Sequence, residues 1–466
     1  MKFTPSTVPF LILLPILFVA ARRQMLPVLL FLSVFQAAAV VLVGSGSHGV
    51  GIMPVHLAFL LLVAQQIFGR QRLAPPPSLR QRELNAILLL FASYAILSAV
   101  FCPLFFSGIP VRNPRVGSVP LTWSSYNETQ SAYLLLGMCV YLISARRRSP
   151  PELDNCLKWY LAGSTMAALF AIYQYISFVF KIPFPTEILH SNTLHTIFEA
   201  YQSEGGFTRV SSTFSEASAA AACFSVAVAL ALSKLFWGKR SRRLVASLAL
   251  LVTALILTRS TTGYIALGFL VVGAASFYFR KMGAAEKLRR FRLGFAVSAV
   301  LISGALLIFP DSRASIRSLL DAVLFTKGQS SSYAERQGWN EAAFRAALST
   351  YGFGAGWGSL RASSFLANML GTVGVPGLFL FAGFISLLLR YATAKERDGE
   401  VSIQKIVVFP IVIFLVGAVV AGPELTDPSF WFLLGTAASG KRRGIPSLRR
   451  PPSLQDAEAA VSAISG

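Results

Sequence analysis

Charge is scarce in this chain. Only 13% of its 466 residues are charged, and Asp plus Glu number 20 against 42 Lys and Arg. A water-soluble domain with a mostly polar exterior rarely has so little charge, so the composition argues against one. Cysteine is also sparse. Cys102, Cys139, Cys156 and Cys223 have no CxxC spacing, which points away from a disulfide framework and from a zinc site and leaves them as small apolar residues. The four histidines form no HExxH motif, so no metal or other cofactor is assigned. A long polar segment that would make an independent domain is lacking as well.

What is there is apolar sequence, 54% of the chain. Runs of about 17–25 apolar residues match the ~30 Å hydrocarbon core of a bilayer. The expected spans are 8–20, 25–43, 50–68, 84–106, 129–145, 156–180, 214–236, 244–258, 262–279, 293–309, 365–389, 406–421 and 429–439. The first and last are short. The expected fold class is therefore an all-α polytopic transmembrane bundle of twelve or thirteen spans. It forms one domain over residues 1–440, followed by a disordered cytoplasmic tail at 441–466 marked by Pro446, Pro451 and Pro452. The first apolar run ends at Arg22 and Arg23 without a small-residue cleavage site, which reads as a retained anchor.

The net charge of +22 does not indicate a nucleic-acid partner, because the basic residues lie in short clusters between apolar runs. Alternating the spans places 30 of the 42 Lys and Arg on one side. Basic loops resist translocation, so that side is expected to be cytoplasmic, together with the C-terminus. The segments 107–128, 181–213 and 310–364 then face outward, and long loops are where function concentrates. Within the last of them, Ser332 followed by Glu335 makes a capping box that predicts a helix to about Ser349, with Arg336, Trp339, Asn340 and Ala343 on one face.

Three outer arginines invite explanation: Arg209, Arg259 and Arg336. A guanidinium donates two parallel hydrogen bonds to a phosphate and keeps its charge, so three converging would bind a pyrophosphate-sized anion. The plainer alternative is that each snorkels to lipid headgroups or pairs with a carboxylate. Glu216 opens a span seven residues after Arg209; it either caps the helix dipole or acts as a general base. His190, His195, Glu199 and Glu204 are weaker candidates for that role. Gly352, Gly354, Gly356 and Gly358 let backbone approach closely, either to a phosphate or within an interface-lying loop. Trp339 and Trp357, with Trp123, Tyr126 and Tyr351, fit an interfacial aromatic belt or sugar stacking.

Several motifs follow in order: Arg209-Val-Ser-Ser-Thr-Phe-Ser-Glu216-Ala-Ser218 at the opening of a span, Thr258-Arg259-Ser260-Thr-Thr-Gly263 between two spans, Ser-Tyr-Ala-Glu-Arg336-Gln-Gly-Trp339, Tyr351-Gly-Phe-Gly-Ala-Gly356, and Leu370-Gly-Thr-Val-Gly374-Val-Pro-Gly377. In this order they resemble the O-antigen polymerase and O-antigen ligase superfamily. The resemblance covers roughly residues 200–390. It implies transfer of a glycan from an undecaprenyl-pyrophosphate carrier at the outer face of a bacterial inner membrane, without metal or nucleotide sugar. By the same resemblance Arg209, Arg259 and Arg336 hold the pyrophosphate and Arg336 also assists its departure. Glu216 is then the candidate for deprotonating the acceptor hydroxyl or positioning the sugar, and His195, Trp339 and Trp357 are candidate sugar or acceptor contacts. Partners would be the lipid-linked oligosaccharide, membrane lipid, a chain-length regulator and a flippase. Ligases of this family place a histidine in the large outer loop, where this chain reads Arg361-Ala-Ser363-Ser364, so a repeat-unit polymerase is expected before a glycan ligase. A transporter or flippase is the rival of another class. Its usual internal repeats and mid-bilayer charges are not evident here.

Overall fold

A computed structural model describes residues 2–22, 24–44, 50–68, 76–113, 117–147, 149–192, 203–204, 207–237, 241–280, 331–394, 402–422 and 425–440. In chain order these form β1 (Lys2–Phe3), α1 (Thr7–Ala20), α2 (Met25–Leu32), β2 (Val41–Val43), β3 (Val50–Ile52), α3 (Pro54–Phe68), α4 (Leu79–Phe105), β4 (Pro110–Asn113), β5 (Gly117–Pro120), α5 (Ser125–Arg146), α6 (Pro150–Phe180) and α7 (Thr186–Leu189). There follow β6 (Ser203–Glu204), β7 (Phe207–Thr208), α8 (Ala217–Trp237), α9 (Arg242–Leu257), α10 (Thr261–Arg280), α11 (Ser331–Ser349), α12 (Phe365–Thr393), α13 (Ile403–Ala421) and α14 (Pro428–Ala438). The expected span at 293–309, the outer segment as far as residue 330 and the tail at 441–466 lie outside the described residues, as does His195.

The molecule is a helical bundle with a few short strands. Among the described residues, five helices are long and apolar enough to cross a membrane: α4, α6, α8, α12 and α13. This corrects the twelve or thirteen spans expected from the sequence. Hydropathy finds apolar runs but does not say whether they face lipid or protein, nor whether they stay helical. The run at 25–43 is helical only to Leu32; its β-branched end Val40-Val41-Leu42-Val43 pairs with β1 and β3 in a three-stranded antiparallel sheet. Both α2 and α14 are buried on every face, and the 11 residues of α14 reach only about 16 Å at 1.5 Å per residue. α5 has 22 residues, but it opens Ser-Tyr-Asn-Glu-Thr-Gln, and Asn127 and Gln130 are buried in protein.

Helices start where the sequence supplies caps. Ser78 Oγ accepts the Gln81 amide at 3.3 Å and the Ser78 amide donates to Gln81 Oε1 at 3.1 Å, a capping box that opens α4. Gln81 Nε2 also donates to the Ala145 carbonyl at 2.7 Å, which ties the start of α4 to the end of α5. Close helix approach comes from small residues: a Cβ on Gly137 would lie 2.2 Å from Trp431 Nε1, and one on Gly435 would lie 2.5 Å from the Tyr141 carbonyl. Besides the main core, a small second core of Val111, Leu121, Ala343, Ala346, Ala355, Leu360, Ala362 and Ala367 joins the β4–β5 hairpin, α11 and the start of α12 into a cap over one end of the bundle.

α6 and α8 run antiparallel, and this fixes where the site-bearing segments lie. Near the start of α6, Asp154 pairs with Lys158 at 2.8 Å and also with Lys234 at the end of α8. At the other end of α6, Gln174 binds the segment that leads into α8. The residue 209–216 segment therefore lies about 30 Å from that ion cluster, the length of the 21-residue α8.

Candidate functional site

The segment before α8 is held by its own hydroxyls. Gln174 Oε1 accepts the amides of Ser211 at 3.0 Å and Ser212 at 2.7 Å. Ser212 Oγ donates to the Ala167 carbonyl at 2.6 Å, and Thr213 Oγ1 donates to the Val34 carbonyl at 2.6 Å. Ser212 takes a left-handed conformation, φ 57°, at a cost of order 1 kcal/mol that these bonds hold in place. Phe214 is fully buried and meets Phe224 edge-on at 6.1 Å. Arg209, half-buried, is thus carried on a rigid strap.

Arg259 closes α9. Its amide donates to the Ile256 carbonyl at 3.1 Å and its φ of 48° reverses the chain before α10 starts at Thr261. A Cβ on Gly263 would be 3.0 Å from Leu255 Cδ1 and 3.1 Å from Ala221 Cβ, so the first turn of α10 is seated tightly on α9 and α8. That seating places Tyr264 where its phenol lies within electrostatic reach of both Arg259 and Arg209. Two of the three arginines singled out in the sequence therefore act on the same phenol, although 50 residues separate them in the chain.

Glu216 stands at the mouth of α8. Its carbonyl accepts the Ala220 amide at 3.1 Å, the first turn of the helix, and its carboxylate accepts the Ser218 hydroxyl at 2.7 Å. The carboxylate is half-buried at the positive end of the helix dipole, where its charge is favoured.

Arg336 belongs to a second grouping, on α11. The helix expected from the Ser332–Glu335 box is present as α11, and Arg336, Trp339 and Asn340 are all half-buried on it. The Arg112 guanidinium, from the β4–β5 hairpin, sits 5.9 Å from the Trp339 ring centroid. Asn340 Oδ1 accepts the amides of Ser363 and Ser364, each at 2.9 Å, and so fastens α11 to the start of α12. Neither Arg112 nor Tyr264 was apparent as a site residue in the sequence. Arg112 is one more cation in an outer loop, and Tyr264 one more aromatic at the end of a span.

The four glycines at 352–358 serve the protein's own backbone. α12 is broken at Gly374, φ 64° and ψ −165°, two residues before Pro376. The carbonyls of Gly371 and Thr372 accept the amides of Ala355 and Gly356, both at 2.8 Å, while the Val375 amide donates to the Gly352 carbonyl at 2.8 Å. Irregular backbone in an apolar bundle persists only where protein satisfies it, as here. Trp357 ends the segment in the core. It is 4% exposed, edge-on to Phe91 at 6.2 Å, with its amide on Ser98 Oγ and its carbonyl accepting Asn127 Nδ2 at 2.8 Å.

Among the described residues there is no cluster of three His, Cys, Asp or Glu able to hold a metal ion. No protein-family model matches the chain, and no curated protein matches it.

Proposed function

We propose that this chain is a membrane glycosyltransferase that polymerises undecaprenyl-pyrophosphate-linked oligosaccharide repeats, as for O-antigen, capsule or exopolysaccharide, at the outer face of a bacterial inner membrane. The observation that carries the reading is the convergence of Arg209 and Arg259 on Tyr264, on rigid turns at one end of an apolar bundle. Two guanidinium groups, each within electrostatic reach of one phenol, suit a diphosphate whose polyprenyl tail stays in hydrocarbon. The motif resemblance supports the same residues.

In this reading an acceptor sugar hydroxyl attacks the donor's anomeric carbon and the bond from that carbon to the pyrophosphate oxygen breaks. The hydroxyl proton passes to the Glu216 carboxylate. The electron pair leaves on the lipid pyrophosphate, where the arginines neutralise the developing charge. Arg336 and Trp339, which stand in the separate grouping on α11, are the candidates for contacting the donor's sugars and anion. The C-terminus would be cytoplasmic and a flippase and a chain-length regulator would be functional partners. The purified protein, given a pyrophosphate-linked repeat unit, should produce a ladder of longer lipid-linked glycans. Product that appears only on a non-carrier acceptor would favour a glycan ligase.

A transporter or flippase is the second reading, favoured by the break in α12 at Gly374, since discontinuous helices often line transport sites. Against it, the carbonyls and amide freed by the break are bonded to the residue 352–356 segment. Movement of the intact lipid-linked unit across vesicles without lengthening would select it.

A further inference from the structure

A cavity of about 270 Å³ opens at the end of α6 where the chain turns into the next segment. It is lined by Gln174, Ser177, Phe178, Lys181, Ile182, Phe184, Thr186 and His190. Its volume is just under the ~300 Å³ lower bound of pockets for drug-sized ligands, which suits one pyranose ring. The walls differ in character. Phe178, Ile182 and Phe184 supply an apolar side, whereas Gln174, Ser177 and Thr186 supply amide and hydroxyl groups. Sugars present the same division, a C–H face and a hydroxyl rim, and aromatic rings pack on the former.

The site is built into the fold. Phe184 is fixed between Tyr173, 5.6 Å centroid to centroid, and His190, 6.3 Å and edge-on. Tyr173 is itself held by a 2.6 Å bond from its hydroxyl to the Pro183 carbonyl. Gln174 spends its oxygen on the Ser211 and Ser212 amides, so the group it presents is the NH₂ donor. Lys181, exposed and left-handed at the end of α6 with φ 56°, is the one charged side chain among the described residues that line the cavity, and none of those residues is acidic. A neutral sugar would leave that ammonium to water, whereas a sugar carboxylate would pair with it.

We propose that this cavity is an acceptor-sugar subsite selective for an acidic pyranose, a hexuronate or a sugar bearing an acidic substituent. Lys181 meets the carboxylate, the Gln174 NH₂ a ring hydroxyl and Phe184 the C–H face. The Gln174 bonds to the strap that carries Arg209 set this ring beside the diphosphate locus. The role as acceptor subsite rests on the glycosyltransferase reading, whereas the binding does not.

The test uses the purified full chain in lipid nanodiscs with methyl glucuronide and methyl glucoside, followed by ligand-observed saturation-transfer NMR. Glucuronide should bind saturably and at least tenfold more tightly than glucoside. Lys181→Gln should erase that preference and Phe184→Ala should weaken both sugars. Equal binding of the two sugars, no saturable binding, or an unaltered preference in Lys181→Gln overturns the proposal. A thermal melt of each variant identifies any that fails to fold, in which case Lys181→Glu, which should reverse the preference, decides. Glucuronide binding without polymer formation would overturn the glycosyltransferase reading and leave the pocket standing.

Discussion

The amide of Gly356 donates to the carbonyl of Thr372 at 2.8 Å, which seats the glycine segment in the break of a helix long enough to cross a membrane. The alternating glycines follow from this insertion. A Cβ on Gly354, whose φ is +83°, would fall 2.5 Å from the Thr372 carbonyl oxygen and 2.6 Å from the Gly374 amide, with no flexible side chain to yield.

Gly354→Ala should therefore destabilise the fold by about 3 kcal/mol, combining left-handed strain with overpacking. Gly352→Ala has a similar φ of +82° but only Val375 Cγ2 at 3.7 Å, so it should cost about 1 kcal/mol. Thermal melts of the two variants in detergent compare them directly; equal losses would mean that the segment does not occupy the break in solution.

Arg259→Ala is expected to lower polymer formation on the order of 10²–10³-fold at unchanged protein level, the usual effect of removing one donor to a developing charge. Arg209→Ala should behave alike, and Arg259→Lys should recover only part of the activity because an ammonium is a point charge without the planar fork. Arg336→Ala should also abolish polymer. Wild-type chain lengths in these variants, resolved on a gel, would remove the diphosphate site.

Burial holds the His190 imidazole below its ordinary pKa, only partly offset by its 2.6 Å bond to the Ser212 carbonyl. The unfolded chain takes up this proton at about pH 6.5, before the folded chain does, so stability rises with pH across the interval between the two values. The melting temperature should accordingly fall as pH drops below about 6.5. His190→Gln should flatten that slope between pH 7.5 and 5, and an unchanged slope would remove His190 as its source.

Asn340 is the single acceptor for the amides of Ser363 and Ser364. Asn340→Ala should cost about 1–3 kcal/mol by leaving two part-buried donors unmet, while Asn340→Asp keeps the oxygen and much of the stability. Limited proteolysis in the 350–364 segment would report the loosened cap; a cleavage rate equal to wild type in Asn340→Ala would contradict the anchoring role.

Asp427 caps α14, its carboxylate accepting the Ser429 amide at 2.8 Å, while burial pushes its pKa up. Asp427→Ala should cost about 1 kcal/mol as a lost cap. Asp427→Asn retains the oxygen without a charge to desolvate and should melt at or above wild type.

The sequence by itself determined that this chain is a helical, apolar bundle, because composition and run length set how much surface needs to leave water. It also supplied the helix α11, though that helix opens at Ser331 and so includes Ser332, and it marked Arg209, Arg259 and Glu216 by their positions at span ends. Tertiary structure alone decided how many runs are long, apolar helices, since burial in protein and exposure to lipid favour the same side chains and hydropathy does not separate them. It alone brought Arg209 and Arg259 to Tyr264, through turns whose left-handed residues no local propensity favours. It gave the glycines a partner in α12, because that pairing depends on contacts between separate segments of the chain.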